Sequence, residues 1–472
     1  MATTRKRGNG VLSDSILLFG ATGDLARKKL FPALYRLHRD QEITLPIVGV
    51  ARRDWSDDDL RARARVAIEE ANEELDERVF GDFARSLSYV SGDYNDPETF
   101  RRVDTVMKEA RAPLAFLSIP PSMFSVVVDG LAAVGLDERG RVVVEKPFGR
   151  DLASAKELNR VLLANYAEES IFRIDHFLGK EPVQNILITR FANGIFEPLW
   201  NRHYIASVQI TMSEAFGVET RGGFYDGVGA VRDVVQNHLL QLIALLAMEP
   251  PVSESSASLR DEVSKVMRAI KTVEDDEMVR GQYASYREHD GVAADSTTET
   301  YAALRLYVDS WRWAGVPFYL RTGKALATTV TEAVVKFKAP PRPLFADADC
   351  APQPNHLRFR VKPDDETSLY LQAKLPGDRL VGRGVELEMS VADALGEGPE
   401  AYERLIRDAL DGDARLFARQ DSVEEAWRIF DPVLGSPPEI MRYEPGSWGP
   451  AGAHDLLLES DSWHTEAGLE RC

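Results

Sequence analysis

The first part of the chain, from Ser15 to Leu178, alternates short apolar runs with helical patterns. The apolar runs lie in the segments SILLFG, PIVGV, PLAFLSIP, RVVVEKPFG and IFRIDHFL. These runs do not alternate with polar residues, and helices separate them. Such a pattern indicates a parallel sheet that is covered on both faces. This pattern restricts the fold to an α/β sheet whose ligand crevice lies at the carboxyl ends of the strands.

After Gly179 the pattern changes to long helices, predicted over Asp226–Met248 and Leu259–Lys271, followed by strictly alternating runs. HLRFRVKP, TSLYLQAKL and VELEMSV each place their apolar residues on one face, which is typical of a half-covered antiparallel sheet. The sequence therefore predicts an α/β domain followed by a larger α+β domain. The predicted divisions are a disordered tail over 1–14, an α/β domain over 15–179 and a second domain over 180–472.

Charge and cysteine content limit the partners. The 472 residues carry a net charge of −18, which repels nucleic acid and anionic lipid, so a phosphorylated ligand requires a local cluster of cations. Cys350 and Cys472 belong to no metal-binding or disulfide pattern, and no metal is expected. We found no signal-type segment and no apolar run of about 20 residues, so we expect a cytoplasmic protein with no membrane or nucleic-acid partner.

GATGDLA follows the first predicted strand directly and resembles a dinucleotide-binding turn. Its backbone amides and the N-terminus of the next helix can bind a pyrophosphate. A glycine turn that serves only packing is the alternative. The candidate cofactor-binding residues of this turn are Gly20, Ala21, Thr22, Gly23, Asp24, Leu25 and Ala26.

The end of the second predicted strand carries arginines where an NAD-binding sheet has an acidic residue. Arg52 and Arg53 come first after PIVGV, and Asp54 follows them. A cation at this position suits the 2′-phosphate of NADP, whereas a carboxylate suits the ribose hydroxyls of NAD. The sequence thus favours NADP through Arg52, with a solvated arginine pair as the alternative.

RVVVEKPFG places Glu145, Lys146 and Pro147 at the end of another strand. A lysine there can contact both cofactor and substrate, and the proline restricts Lys146 to an extended backbone. The alternative is a surface ion pair between Glu145 and Lys146.

IFRIDHFLGK concentrates Arg173, Asp175, His176 and Lys180 at the end of a strand that otherwise is apolar. Buried charges must be paired or must bind something. His176 and Lys180 suit a dianion, and Asp175 suits the orientation of a distant histidine. The alternative is an internal ion pair of Arg173 with Asp175 and a core role for His176.

RDVVQNHLLQ places Asp233, Asn237 and His238 within an apolar helical pattern. A histidine on such a face is often only a core residue. A catalytic histidine base needs a carboxylate that fixes its tautomer, and the sequence offers Asp233 nearby and Asp175 in the earlier domain.

GATGDLA, EKPFG, RIDHFLGK, the Glu214–Asp226 loop, RDVVQNHLLQ and RTGKAL occur in an order and at separations that resemble the glucose-6-phosphate dehydrogenases from about Ser15 to Tyr443. The resemblance implies that His238 removes the C1 hydroxyl proton of glucose 6-phosphate while hydride passes to NADP. It also implies that Asp175 is the carboxylate partner of His238.

The same resemblance implies the remaining roles and the architecture. His176 and Lys180 match the phosphate ligands, and Glu214 and Asp233 match residues that bind the sugar hydroxyls. Lys146 and Lys324 match lysines near substrate and cofactor. The turn Gly20–Ala26 and Arg52 match residues that bind NADP, and NAD is the tolerated alternative. The implied fold is a Rossmann domain followed by a β+α domain whose sheet joins a homodimer or homotetramer.

One departure from the family pattern bears on affinity. Thr329 stands where many members have a second basic residue, which predicts weaker binding of the sugar phosphate. Two other functions stay open at this point. One is a sugar or polyol dehydrogenase that uses its EKP lysine, and the other is a cofactor-binding regulator without turnover.

Overall fold

The computed structural model describes residues 12–41, 43–71, 73–342, 344–345, 353–459 and 461–465. Contacts divide the chain into two compact units. Unit 1 comprises the residues up to Lys180, Val252–Arg260 and Pro399–Glu424. Unit 2 comprises Glu181–Pro251, Asp261–Gly398 and the residues from Glu425 onward.

The first division follows Lys180, one residue after the end of the predicted first domain. The later segments of unit 1 were not predicted. Residues 1–11 of the predicted tail over 1–14 lie outside the described residues. Cys350 and Cys472 also lie outside them. Ser13 is buried and donates its N–H to the Leu410 carbonyl, while Asp14 accepts from two backbone N–H groups, so these two residues belong to folded unit 1.

The strands are numbered in chain order. They are β1 (Ser15–Phe19), β2 (Ile47–Ala51), β3 (Leu87–Ser91), β4 (Pro113–Leu117), β5 (Arg141–Glu145), β6 (Ile171–Ile174), β7 (Ile205–Ser213), β8 (Met278–Tyr283), β9 (Tyr301–Tyr307), β10 (Pro317–Gly323), β11 (Val330–Phe337), β12 (His356–Lys362), β13 (Glu366–Lys374), β14 (Gly382–Met389), β15 (Phe417–Ala418) and β16 (Ile440–Tyr443).

The α-helices are numbered in the same way, and π-helical segments occur at Ala26–Leu30 and Val231–Leu239. The α-helices are α1 (Phe31–Arg39), α2 (Asp57–Glu70), α3 (Glu77–Ser86), α4 (Pro97–Val106), α5 (Phe124–Ala132), α6 (Leu152–Asn165), α7 (Glu181–Phe191), α8 (Gly222–Asp226), α9 (Leu240–Ala247), α10 (Ser256–Ala269), α11 (Val391–Leu395), α12 (Ala401–Asp411) and α13 (Gln420–Gly435).

Unit 1 contains a seven-stranded sheet with the order β15-β6-β5-β4-β1-β2-β3. Strands β1 to β6 pair in parallel, and β15 pairs antiparallel with β6. This is the strand order of a dinucleotide-binding sheet, in which the direction of winding reverses between β1 and β4. The predicted parallel sheet is therefore confirmed, and the ends of β1 and β4 border the ligand crevice that such sheets have.

Apolar burial explains why unit 1 includes a segment from late in the chain. Every residue of β1 is buried, which leaves both faces of the sheet in need of cover. Leu405, Ile406 and Ala409 of α12 belong to the same hydrophobic core as β1 and α1. Helix α12 therefore completes the core of unit 1.

Unit 2 contains a nine-stranded sheet with the order β14-β13-β12-β11-β7-β10-β9-β8-β16. The pairs β7–β10 and β8–β16 are parallel, and the other described pairs are antiparallel. The predicted mainly antiparallel sheet is thus confirmed, and it contains β12, β13 and β14. The predicted half-cover is wrong for two of these strands, because β12 is buried on both faces and β14 exposes its apolar face.

The helix predicted over Asp226–Met248 is wrong at its start. Asp226 ends the short helix α8, and Gly229 follows with φ +76°. The Asp226 carboxylate accepts hydrogen bonds from the Tyr286 hydroxyl and the Ala293 N–H, which fix the end of α8. No helix in the described part of the chain is long and apolar enough to span a membrane.

Candidate active site

The glycine turn of unit 1 begins at a position that requires glycine. Gly20 has φ +79°, and a Cβ at this residue would lie 2.0 Å from the carbonyl oxygen of Ser118, next to the end of β4. The Gly20 N–H donates to the Val50 carbonyl at 2.9 Å, and the Gly23 N–H donates to the Gly20 carbonyl at 2.9 Å. These contacts place the turn between the ends of β2 and β4, where dinucleotides bind in such sheets.

The turn combines buried ends with an accessible middle. Ala21 and Ala26 are buried, whereas Thr22–Leu25 is at least partly exposed. Packing therefore accounts for the small residues at both ends. The exposed backbone between them lies at a helix N-terminus, where N–H groups and the helix dipole suit a pyrophosphate. The turn thus fits a dinucleotide.

Arg52 is exposed directly after β2 and lies near this turn. Hydrogen bonds from Asn95 lower the pKa of the Asp93 carboxyl, and the charge of Arg52 lowers it further. Burial raises the pKa of Tyr94, while Arg52 acts in the opposite direction. The Tyr94 hydroxyl accepts the Gly20 N–H at 3.0 Å, so Tyr94 connects Arg52 with the turn. The sequence analysis missed Tyr94.

Lys146 follows β5, and its bond to Pro147 is cis. Glu145 is buried, which raises the pKa of its carboxyl to about 8, while the Tyr402 hydroxyl and the Lys146 ammonium act in the opposite direction. The alternative interpretation placed Glu145 and Lys146 in an ion pair on the surface. It is wrong because Glu145 is buried. The charge of Asp175 raises the pKa of Glu145 as well, so these groups lie close together in unit 1.

Asp175 is buried directly after β6, and its Oδ1 accepts the Phe177 N–H at 3.0 Å. The guanidinium of Arg173 donates to Glu168 at 2.8 Å and to Asn159 at 3.1 Å. The alternative that paired Arg173 with Asp175 is therefore wrong. Arg173 is a structural residue, and Asp175 heads the next turn.

His176 and Lys180 lie on that same turn, and both are partly buried. The His176 ring lies nearly parallel to the Tyr402 ring, with 6.2 Å between centroids and 8° between planes. The Lys180 ammonium lies 4.8 Å from the Phe177 ring centroid. Unit 1 therefore brings Asp175, His176 and Lys180 together within one turn at the carboxyl end of β6.

In unit 2, Glu214 follows β7 and forms an ion pair with Lys324, which follows β10. The Lys324 Nζ lies 2.5 Å from Glu214 Oε2 and 5.0 Å from the centroid of the Tyr225 ring. Because β7 and β10 are parallel neighbours, both side chains leave the sheet at the same end. The structure thus joins two predicted substrate ligands that are distant in sequence.

Tyr225 connects this pair with Asp233. Tyr225 is buried, and burial raises the pKa of its phenol, to which the charges of Asp233, Glu299 and Glu214 add. Unit 2 therefore brings Glu214, Lys324 and Asp233 around one buried aromatic ring. The sequence analysis missed Tyr225.

His238 lies in the π-helical segment Val231–Leu239 and is 4% exposed. The backbone N–H of His238 donates to Asn237 Oδ1 at 2.6 Å. Hydrogen bonds in a π-helix join residues five positions apart, so Asp233 and His238 are one turn apart in this segment. A π-helical turn inside an α-helix frequently marks a functional site, and the regular period assumed in the sequence analysis did not predict it.

Thr329 supports the backbone next to Glu214. Its Oγ1 accepts the Ala215 N–H at 2.9 Å. Replacement of Thr329 by a basic residue would therefore remove this hydrogen bond to the backbone.

One group of carboxylates in unit 2, Glu366, Glu386 and Glu388, is close enough to suggest a cation site. The guanidinium of Arg358 contacts two of these residues, at 2.7 Å from Glu366 and 3.2 Å from Glu386. An arginine already supplies the positive charge there.

Family models match nearly the whole chain. The NAD-binding domain of glucose-6-phosphate dehydrogenase matches residues 17–185, and the C-terminal domain of the same enzyme matches residues 187–464. A glucose-6-phosphate 1-dehydrogenase of Mycobacterium tuberculosis is 47% identical over 97% of this chain and 97% of its own. The Bacillus subtilis enzyme of that name is 39% identical over 94% of this chain and 96% of its own.

Solved structures agree with this relationship. The crystal structure of glucose-6-phosphate 1-dehydrogenase from Mycobacterium avium covers 96% of this chain and 99% of its own, with a TM-score of 0.88 and 47% identity. A glucose-6-phosphate dehydrogenase in complex with glucose 6-phosphate covers 97% of this chain and 100% of its own, with a TM-score of 0.90 and 36% identity. With both family domains matched in order over a nicotinamide-dinucleotide sheet and an antiparallel sheet, the chain belongs to the glucose-6-phosphate dehydrogenase family.

Proposed function

We propose that this chain oxidises glucose 6-phosphate at C1 to 6-phosphogluconolactone, with hydride transfer to NADP, as the entry step of the pentose phosphate pathway. The observation that carries the proposal is the match of both family domains, in order, over residues 17–185 and 187–464. The clustering of Glu214, Lys324 and Asp233 in unit 2 supports it, because a sugar requires several polar ligands in one place.

In the proposed chemistry, His238 acts as the general base. Its imidazole takes the proton of the C1 hydroxyl, the C1–H bond gives up a hydride, and the C1–O bond becomes the lactone carbonyl. Asp175 is the proposed carboxylate partner that favours the productive tautomer of His238. Bound NADP supplies the hydride acceptor. Because the base and this acceptor balance the reaction, the proposal assigns no metal.

The other residues bind and orient the substrate. A phosphate dianion needs cationic donors, and the sugar hydroxyls need acceptors as well as donors. The proposed ligands are His176 and Lys180 for the phosphate, Glu214 and Asp233 for the hydroxyls, and Lys146 and Lys324 near substrate and cofactor.

For the cofactor we propose the turn Gly20–Ala26 as the pyrophosphate cradle and Arg52 as the ligand of the 2′-phosphate. The chain is a member of a family with a nicotinamide-dinucleotide domain. The exposed guanidinium of Arg52 near the turn supports NADP as the preferred form, with NAD tolerated.

Arg52→Ala tests the cofactor assignment. Loss of a charge-assisted hydrogen bond of about 1.5–3 kcal/mol is expected to raise the KM for NADP about 10- to 100-fold. The KM for NAD should stay within about twofold because NAD lacks the 2′-phosphate. Arg53→Ala is the matched control, since the Arg53 guanidinium lies 5.5 Å from the Trp55 ring centroid. Equal losses for NADP and NAD in Arg52→Ala would refute the assignment.

One assay separates the proposal from its alternatives. NADPH absorbance is recorded with glucose 6-phosphate, free glucose or inositol as the substrate. Rapid reduction with glucose 6-phosphate supports the proposal, and a preference for glucose or inositol indicates a different sugar or polyol dehydrogenase. Cofactor binding without reduction of NADP by any of the three indicates a regulator that lacks turnover.

Thr329→Lys tests the departure from the family pattern. A new cation near the substrate gains about 1.5–3 kcal/mol, and loss of the hydrogen bond from Ala215 costs about 0.5–1.5 kcal/mol. The central values leave a net gain of about 1.3 kcal/mol, so we expect the KM for glucose 6-phosphate to fall about 8-fold. The control is Thr328→Lys, which changes an exposed neighbour. If both variants match the parent, Thr329 does not limit affinity.

We propose a cytoplasmic homodimer or homotetramer with no nucleic-acid or membrane partner. The edge strand β14 supports a second copy of the chain as the partner, because Val385, Leu387 and Met389 are 40%, 57% and 47% exposed on one face. Exposed apolar edge strands require a cover. Light scattering of the full chain should give two or four times the monomer mass, and a monomer at micromolar concentration would refute the proposal.

A further inference from the structure

We infer that helix α12 holds the turn that carries the proposed phosphate ligands, and that Tyr402 on this helix is a positioning residue for His176. The inference rests on the proposed function, which gives His176 its role. It concerns contacts within unit 1 alone, between the turn after β6 and a segment from much later in the chain.

The first step is the fit of the two backbones. A Cβ at Gly179 would lie 2.9 Å from the carbonyl oxygen of Ala401, and an approach this close requires glycine. The guanidinium of Arg404 donates to the Gly179 carbonyl at 3.2 Å. The turn is therefore fixed on the first turn of α12 by packing and by a hydrogen bond.

The second step is the contact between the rings. At 6.2 Å and 8°, the His176 and Tyr402 rings form an offset stack. Tyr402 is 8% exposed, whereas His176 is only partly buried, so the better-packed ring orients the more accessible one. A donor that is oriented before its ligand binds loses less rotamer entropy on binding, which raises affinity.

The third step separates the ring of Tyr402 from its hydroxyl. The hydroxyl acts on Glu145, whose carboxyl is buried beside the same turn. The ring acts on His176. A phenylalanine retains the stack and removes the hydroxyl, and a leucine removes both, so the two variants distinguish the two functions.

The experiment compares Tyr402→Leu and Tyr402→Phe with the parent, as full-length enzymes, in KM and kcat for glucose 6-phosphate and in KM for NADP. Loss of the stack should raise the KM for glucose 6-phosphate about 3- to 10-fold in Tyr402→Leu. The kcat and the KM for NADP should stay within about twofold, and Tyr402→Phe should restore the parent KM.

Tyr166→Leu is the matched control for stability. Tyr166 is equally buried in unit 1, but it precedes β6, whereas the turn follows this strand. We expect a lowered Tm in both leucine variants and a raised KM in Tyr402→Leu alone. If Tyr402→Leu does not fold, Tyr402→Met takes its place, because the flexible methionine side chain adapts to irregular gaps and has no ring.

The outcomes separate this inference from the proposed function. A parent enzyme that neither oxidises glucose 6-phosphate nor binds it by calorimetry refutes the proposed function. An active parent with an unchanged KM in Tyr402→Leu refutes the inference alone. An equal rise of KM in Tyr166→Leu, or no rescue by Tyr402→Phe, also refutes it, because the effect would then not come from the stack.

Discussion

His238→Asn is expected to lose about 10²- to 10⁴-fold in kcat for glucose 6-phosphate, because that is the contribution of a positioned general base. Asparagine retains a polar side chain of similar reach but cannot accept the C1 hydroxyl proton. The KM for NADP should stay close to that of the parent, since the proposed cofactor ligands lie in unit 1. The measurement is the initial rate of NADPH formation at saturating substrate.

His356→Asn is the control for this loss. His356 is 4% exposed in the same unit, as is His238, and its ring stacks on Tyr370 with centroids 4.8 Å apart. This variant should lower Tm and leave kcat within about twofold, because packing and not proton transfer is lost. A His238→Asn enzyme that retained turnover within a few-fold of the parent would disprove the base assignment.

Gly20→Ala is expected to destabilise unit 1 and to remove most cofactor affinity. The left-handed backbone at φ +79° costs an alanine about 1–2 kcal/mol. The Cβ would also lie 2.0 Å from the Ser118 carbonyl oxygen, so the ends of β1 and β4 must move apart. A shift of about 1 Å at the cofactor turn can cost about 10²-fold in rate. We therefore expect a lower Tm together with a large rise in the KM for NADP.

Gly81→Ala is the matched control within the same unit. Gly81 lies inside α3, and a Cβ there would meet no atom within 4 Å apart from its chain neighbours and the backbone of its own helix. Alanine in a helix interior is more stable than glycine by about 0.5–1 kcal/mol, so this variant should match or exceed the parent in Tm. Similar behaviour of the two variants would mean that the conformation of Gly20 is not critical.

The parallel sheet and the antiparallel sheet could both be predicted because burial determines their local patterns. A strand buried on both faces, such as β1, is apolar throughout. The alternation of polar and apolar residues in β12 correctly indicated an antiparallel strand, although its polar Arg358 is buried as well as its apolar Phe359. These signals need only neighbouring residues. The candidate residues at strand ends, among them Asp175 and Arg52, could be located for the same reason.

Contacts between residues distant in sequence could not be predicted. Helix α12 belongs to unit 1 because its Leu405 and Ile406 pack into the core of that unit. The apolar periodicity of a helix predicts that one of its faces is buried, but it does not predict which sheet covers that face. The ion pair of Glu214 with Lys324 depends on the parallel pairing of β7 and β10. The π-helical turn at His238 also departs from the regular period that sequence analysis assumes.

The sequence by itself determined the two types of sheet, the positions of the glycine turn and of the charged strand ends, and the resemblance to a family, because each depends on residue type at short spacing. Only the tertiary structure decided which strands are neighbours and which rings enclose the charges. Packing of distant segments is selected by the free energy of burying a whole core, and no single segment contains that information.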